Sequence, residues 1–469
     1  MRGYRHAHWL AVLAVCLGAF MGQLDASIVN LAYRPIEVSF HTSLAGATWV
    51  GLVYLLVVVS LVTPIGKLAD VFGRKLIYLY GFGIFVIGSG LCGIAPDLKL
   101  LIGFRVLQGA GAAMMQANSV AIIALVMPKD QLGRGIGIQG AAQALGLGLG
   151  PTIGGILVAT GGWHLVFWVN VPVGIVGIVL GRHLIPRSRD LAARAPFDWP
   201  GAVLLPPAAG LLLAAISLGG GLGWGSPTVI AMLVGAIALG GGFVARENHA
   251  RFPMLHLSLF ARRGFSAGIA SGLLSYLLLF GTLFVIPLYL VTGLQMSPID
   301  AGLELTVMPI VLGLLAPVSG HLADRLGPRP LTVGGMVLTS CALVLLAFSG
   351  SDEVLRLGAL ALVGAGMGLF TPANNAAVMG GVARTETGLA SGVLNMTRGL
   401  GTALGLAVTT LVFEAFSGST VSGQGNAAMG FRGAVIALAV VAGLAASVAA
   451  LRGPSPLRHD PEAAAAAIA

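Results

Sequence analysis

Apolar residues run through this chain in stretches of about twenty, enough for a helix to cross a hydrocarbon core of about 30 Å. Short clusters of Arg, Lys, Asp, Gly and Pro separate the stretches. They predict spans near 9–33, 44–66, 76–95, 98–127, 134–160, 163–185, 200–218, 228–246, 265–292, 299–320, 331–350, 355–378, 388–416 and 431–452. The expectation is an all-α polytopic membrane protein of fourteen helices. Arg2 and Arg5 ahead of the first run resemble the start of a secretory leader. The run is too long and lacks a convincing cleavage site, so it reads as an uncleaved span.

The polar interruptions repeat. Gly66-Lys-Leu-Ala-Asp70-Val-Phe-Gly73-Arg74-Lys75 returns 254 residues later as Gly320-His-Leu-Ala-Asp324-Arg-Leu-Gly327-Pro-Arg329. At an offset of 255, Gly109-Ala-Gly111 meets Gly364-Ala-Gly366, Gly146 meets Gly401 and Gly150 meets Gly405. The second, fourth and fifth spans therefore answer to the tenth, twelfth and thirteenth. Two six-helix halves would pair the second span with the eighth, so two helices are inserted between the halves. The resulting division is 1–185 for an N-terminal six-helix bundle, 186–262 for a loop and the two inserted helices, 263–452 for a C-terminal six-helix bundle, and 453–469 for a disordered cytoplasmic tail. Parallel repeats of this kind describe transporters with a site between the halves.

Composition narrows the function classes. With 57% hydrophobic and 9% charged residues, the chain has no room for a soluble catalytic domain, so an enzyme is not expected. Cys16, Cys92 and Cys341 all fall inside apolar runs, which speaks against a disulfide framework or a spaced metal site, and no cofactor is implied. Gly135-Ile-Gly137-Ile-Gln-Gly140 satisfies a dinucleotide-binding pattern but opens a membrane span, and no phosphate-binding loop ending in Lys and Ser or Thr occurs. The net charge of +9 is scattered over short loops and gives no nucleic-acid footprint. If the N-terminus is cytoplasmic, twenty Lys and Arg residues fall inside and only Arg34, Lys99, Arg356 and Arg432 outside, with Arg105 and Arg398 within spans. This is the positive-inside bias, and it puts both termini in the cytoplasm.

Gly66 to Lys75 resembles the loop signature of the major facilitator superfamily, and Arg105-Val-Leu-Gln108-Gly109-Ala-Gly111 resembles its fourth-helix signature. Gly146-Leu-Gly-Leu-Gly150-Pro151-Thr-Ile-Gly154-Gly155 is similar to the fifth-helix signature associated with antiporters. Leu24-Asp25-Ala-Ser-Ile-Val-Asn30, Trp163 through Asn170-Val-Pro172, Asp198-Trp199 and Ser297-Pro298-Ile-Asp-Ala-Gly302 resemble the fourteen-span drug/proton antiporter branch. The motifs stand in the family's order from about residue 9 to 452, departing at Arg34 and at His164-Leu165. The resemblance implies a conformational role for Gly66, Asp70, Gly73, Arg74 and Asp324, with the first loop copy mattering more than the second. It implies the same for Gly146, Gly150, Pro151 and Gly154, whose four-residue spacing leaves one helix face bare for close packing; Pro151 adds a bend that Leu406, its repeat partner, lacks.

Ionisable residues inside spans are functional candidates because burying them costs about 2.5 kcal/mol or more. Asp25, Arg105 and Glu304 are the expected proton-coupling residues. Desolvation of a buried carboxyl favours its neutral form and a nearby Arg favours its charged form, so Asp25 beside Arg105 makes a switch in which the charged state attracts a cationic substrate. Glu304 and Glu414 fall near outer helix ends, and Glu304 is the rival carrier. Asn30, Gln108, Asn118, Gln143, Asn374, Asn395 and Arg398 are the expected lining of the substrate cavity, Arg398 being the repeat partner of Gln143. The reading is a proton-coupled exporter of amphipathic small molecules or drugs in the cell membrane, working as a monomer with the bilayer, protons and substrate as its partners. The alternative is a carrier of the same superfamily dedicated to one metabolite, lipid or siderophore. A receptor or scaffold fits less well, since it needs no central polar site.

Overall fold

The structure, a computed structural model, describes residues 7–186, 198–250, 253, 255, 257–383, 386–417 and 426–452. The expected tail from 453 lies outside them. Long helices carry almost all of the described chain: α1 Ala7–Ile28, α2 Leu44–Phe72, α3 Arg74–Gly93, α4 Leu98–Val126, α5 Leu132–Gly161, α6 Asn170–Leu184, α7 Trp199–Leu222, α8 Pro227–His249, α9 Arg263–Thr292, α10 Pro298–Leu326, α11 Pro328–Ala347, α12 Glu353–Gly380, α13 Thr387–Ser417 and α14 Ala427–Ala450. Thirteen spans are long and apolar enough to cross a membrane, and α5, bent by 43° between Leu132–Gly150 and Thr152–Gly161, makes the fourteenth. Large apolar side chains such as Ile237 at 73% and Leu314 at 70% exposure cover the outside. A surface of that kind suits lipid.

The repeat is a packing repeat. α1 packs on α4, α5 and α6, and α9 packs on α12, α13 and α14; α2 meets α4 as α10 meets α12, and α3 meets α4 and α6 as α11 meets α12 and α14. Even the helix caps recur, with Ser43 capping α2 as Ser297 caps α10, and Asp97 capping α4 as Asp352 caps α12. The halves touch along two seams, α2 with α13 and α5 with α10. The inserted α7 lies across the first seam, touching both α2 and α13. This places a helix from outside the repeat where it can add residues to the centre.

Gly73 and Gly327 are the single residues between α2 and α3 and between α10 and α11, at φ 103° and 81°. Only glycine adopts such backbone readily, so each turn occurs where the sequence motif ends. Beside these turns the halves share one apolar core, in which Ile123 and Met127 join Phe265, Val378, Leu389 and Val393. At the opposite end the cores are separate, one around Trp163 and Phe167 and the other around Tyr289 and Phe431. The molecule is closed at the motif end and parted at the other.

Candidate functional site

Reciprocal caps hold the motif end shut. Asp70, on α2, accepts from the backbone N–H groups of Gly388 at 3.0 Å and Leu389 at 3.1 Å, the first turn of α13 in the other half. Asp324, on α10, accepts from Gly133 at 2.8 Å and Arg134 at 3.0 Å, the first turn of α5. Each half thus supplies the anion that satisfies a helix start, and its dipole, in the other. No side chain of α5's own N-cap, Gln131, does so. Arg74 donates to Asp70 Oδ1 from Nε at 3.0 Å and Nη2 at 2.6 Å, with both side chains buried. In the second copy Pro328 stands at the place of Arg74. The glycines allow this contact: a Cβ on Gly66 would meet the Gly388 carbonyl, and one on Gly320 the Gly133 carbonyl.

Between the halves, above this closure, lies a cavity of about 780 Å³. Asn395 closes its floor by donating to the Gln116 carbonyl of the other half at 3.0 Å. Asn30, Gln143, Asn395 and Arg398 line it, as do Gln23 and Gln116. Aromatic walls come from Tyr33, Tyr54, Tyr276, Phe280 and, on the α7 side, Trp224. Gln108, Asn118 and Asn374 lie elsewhere. Asn118 donates back to the Met114 carbonyl of its own helix, and Asn374 bonds Gly268 and Arg452 at the motif end.

Asp25 sits one layer behind the cavity wall, fully buried. Its Oδ2 accepts from Arg105 Nη1 at 2.7 Å, and its Oδ1 from Gln108 Nε2 at 2.9 Å and Asn170 Nδ2 at 2.8 Å. Arg105 also donates to Gln108 Oε1 and, through Nε, to the Val50 carbonyl at 2.9 Å, and its guanidinium lies 4.2 Å from the Tyr54 ring centre. Helices α1, α2, α4 and α6 therefore meet in one polar knot. Arg105 and Tyr54 belong to the cavity wall, and their Nη2 and hydroxyl are buried without a hydrogen-bond partner among the described residues. Asp25 reaches the cavity only through Arg105, and does not present a bare anion to substrate.

Glu304 falls near the outer end of α10, as expected, but is turned inward rather than to interfacial water. It is buried and bound at both oxygens by Arg356, Nε to Oε2 at 2.7 Å and Nη2 to Oε1 at 2.6 Å. Arg356, sorted by sequence to the outer side, is in the first turn of α12 and only 2% exposed. Glu304 is not among the residues that line the cavity, whereas Glu414 is, at its outer end.

Gly146, Gly150 and Gly154 pack on α1, where added Cβ atoms would meet the Phe20 carbonyl, Ser27 and Ile28. Ser27 Oγ bonds the Leu147 carbonyl at 2.9 Å along the same seam. The seam lies inside one half, and it has a twin: Gly401 and Gly405 pack on the Leu273 and Leu277 carbonyls of α9.

A family model described as the Major Facilitator Superfamily matches residues 15–244 and 268–468. The chain belongs to that superfamily. Among major-facilitator relatives, the riboflavin transporter RibZ of Clostridioides difficile is 32% identical over 409 residues, covering 86% of this chain and 88% of its own. The tetracenomycin C resistance and export protein of Streptomyces glaucescens is 33% identical over 409 residues, covering 87% and 76%. The fold is that of the E. coli fucose:proton symporter FucP, with a TM-score of 0.68 at 12% identity over 96% of this chain and 100% of that one. As a major-facilitator protein, the chain is a multi-pass membrane transporter with drug-resistance relatives.

Asn170, Tyr54, α7 and Ser89, whose Oγ accepts from Gln108 Nε2 at 2.7 Å, are the parts of the site that sequence reasoning missed. Asn170 stood inside a recognised motif and carried a signal, a polar amide at the start of a span. Tyr54 and Trp224 carried none, since an aromatic residue in an apolar run reads as ordinary packing.

Proposed function

We propose that this chain is a proton-coupled antiporter that exports amphipathic small molecules across the cell membrane by alternating access between its two halves. The observation that carries the reading is the Asp25 knot, a buried carboxylate whose link to the substrate cavity, among the described residues that bond it, is Arg105. With Asp25 charged, Arg105 is held against it. A proton on Asp25 removes most of that attraction and frees the guanidinium to swing into the cavity and occupy space a guest would fill, so proton and substrate compete through one side chain. With the termini in the cytoplasm, the motif end is the cytoplasmic end, and the parted end opens outward. Protons then load from outside, substrate leaves by the same mouth, and reopening inward requires both reciprocal caps to break. One elementary charge crossing 100 mV supplies about 2.3 kcal/mol, a scale suited to rearranging such contacts.

Export is supported by the tetracenomycin C relative, whereas the riboflavin transporter supports a second reading, a carrier for one metabolite. Proteoliposomes challenged with a chemically diverse panel separate them. Proton movement evoked by several unrelated compounds that compete with one another is the expected result. Movement evoked by a single compound would leave a dedicated carrier, and binding with no proton movement would remove the coupling.

A further inference from the structure

The cavity contains a cation that the coupling mechanism does not use. Arg398, on α13, lies within a membrane span and lines the cavity, where its Nη1 bonds only the neutral Asn395 Oδ1 at 3.3 Å and its guanidinium lies 4.7 Å from the Tyr276 ring centre. Among the described residues no carboxylate is within ion-pair distance of it. The nearest candidates by function are taken or remote. Asp25 is bound by Arg105, and Glu414 is sixteen residues further along the same helix, roughly 24 Å at 1.5 Å per residue. A guanidinium in a span costs about 2.5–3.5 kcal/mol unless it is paired or hydrated. Its repeat partner Gln143 faces the same cavity with no charge, so the second half has placed a cation where the first makes do with an amide.

Along the same cavity, Asn395, Gln143 and Gln116 offer polar groups, while Tyr276, Phe280 and Tyr54 offer aromatic rings. Arg105 and Tyr54, whose Nη2 and hydroxyl are buried without a partner among the described residues, line the same cavity. We infer that the inner cavity selects planar aromatic molecules bearing an anionic group, a carboxylate or an ionised phenol, which Arg398 pairs while the rings stack on the aromatic wall. Fixed forks of this kind suit a planar oxyanion. The charge that meets substrate is then positive, opposite to the attraction of cations that Asp25 alone suggested. This inference rests on the export reading only for the identity of the cavity as the substrate site.

The test uses the full-length protein in detergent and in proteoliposomes with two probes that share one tricyclic ring system, fluorescein as the anion and tetramethylrhodamine methyl ester as the cation. Fluorescein should bind at least about tenfold more tightly than the rhodamine. Arg398→Gln should erase that preference, and Arg398→Lys should keep most of it, with both variants melting close to the unaltered protein. Equal binding, tighter rhodamine binding, no binding of fluorescein, or a preference that survives Arg398→Gln would overturn the inference. Proton release measured with the same probes separates the two readings. Rhodamine export with proton counter-movement leaves the antiporter and removes the anion site, whereas Arg398-dependent fluorescein binding without proton movement does the reverse.

Discussion

The two halves of this molecule share one architecture, and each buries an acid–base pair away from the motif end, yet these two pairs are built to opposite ends. In the second half, Glu304 and Arg356 close on each other through two parallel bonds and do not line the central cavity. In the first half, Asp25 shares its oxygens among Arg105, Gln108 and Asn170, and Arg105 keeps a donor without a partner at the cavity wall. A sealed pair can only hold α10 to α12. A shared pair can exchange partners, and so connect a proton to a guest. The comparison teaches that burial of a charge in a span is not enough to mark a coupling site; what remains unsatisfied around it decides.

The largest effect expected from breaking this comparison is on folding. Arg356→Ala strands the Glu304 carboxylate in a buried site and should cost about 3–5 kcal/mol, read as a lowered melting temperature and loss of folded protein. Replacing both with methionine should restore folding and retain transport. The matching double replacement of Asp25 and Arg105 by methionine should fold but not transport. Transport by that second variant in proteoliposomes would erase the distinction between the halves.

The next effect concerns the caps. Asp70 makes two backbone contacts and two with Arg74, while the second loop has Pro328 at Arg74's place. Charge-assisted bonds are worth about 1.5–3 kcal/mol each, so Asp70→Asn should lower transport by roughly tenfold or more and Asp324→Asn by a smaller factor, compared at equal amounts of membrane-inserted protein. The reverse order would reject the asymmetry. Smaller again is the contrast between the glycine seams. Gly150→Leu and Gly405→Leu each force a helix from its neighbour and should slow transport, but only Gly150→Leu, which displaces the helix that carries Asp25, should also leak protons in vesicles with no substrate. The smallest effect belongs to Asn374→Ala, which loses contacts to Gly268 and Arg452 at the motif end. It should cost about 1–2 kcal/mol of stability and leave the apparent KM for any exported dye unchanged.

The helices and their repeat were legible because a membrane span announces itself by length and apolarity, and because two copies of one loop cannot be aligned without also placing the inserted pair. Asp25 and Arg105 were legible for the same reason, being charges where charges are expensive. Their connection to Asn170 and Tyr54 was not, since it depends on how four helices rotate about their axes, a quantity that hydropathy does not encode. The burial of Arg356 was not legible, because one turn at a helix start separates an exposed cation from a buried one, and Asp352, the cap that begins α12, was not read as such. Asn118 and Asn374 were expected in the cavity on polarity alone, whereas an amide in a span can satisfy itself on a backbone carbonyl, as Asn118 does on Met114. The reciprocal caps lay half in view. The resemblance implied a conformational role for Asp70 and Asp324, but the sequence could not say that each serves a helix of the opposite half.

The central claim is that Asp25, reached through Arg105, carries the coupled proton. Its most direct test is substrate-evoked proton flux across proteoliposomes containing, in separate preparations, the unaltered protein, Asp25→Asn and Glu304→Gln at matched density. The account predicts that Asp25→Asn abolishes the proton flux and uphill export while still binding substrate, and that Glu304→Gln keeps both. Coupling retained by Asp25→Asn and lost in a folded Glu304→Gln protein would contradict it and move the proton to α10.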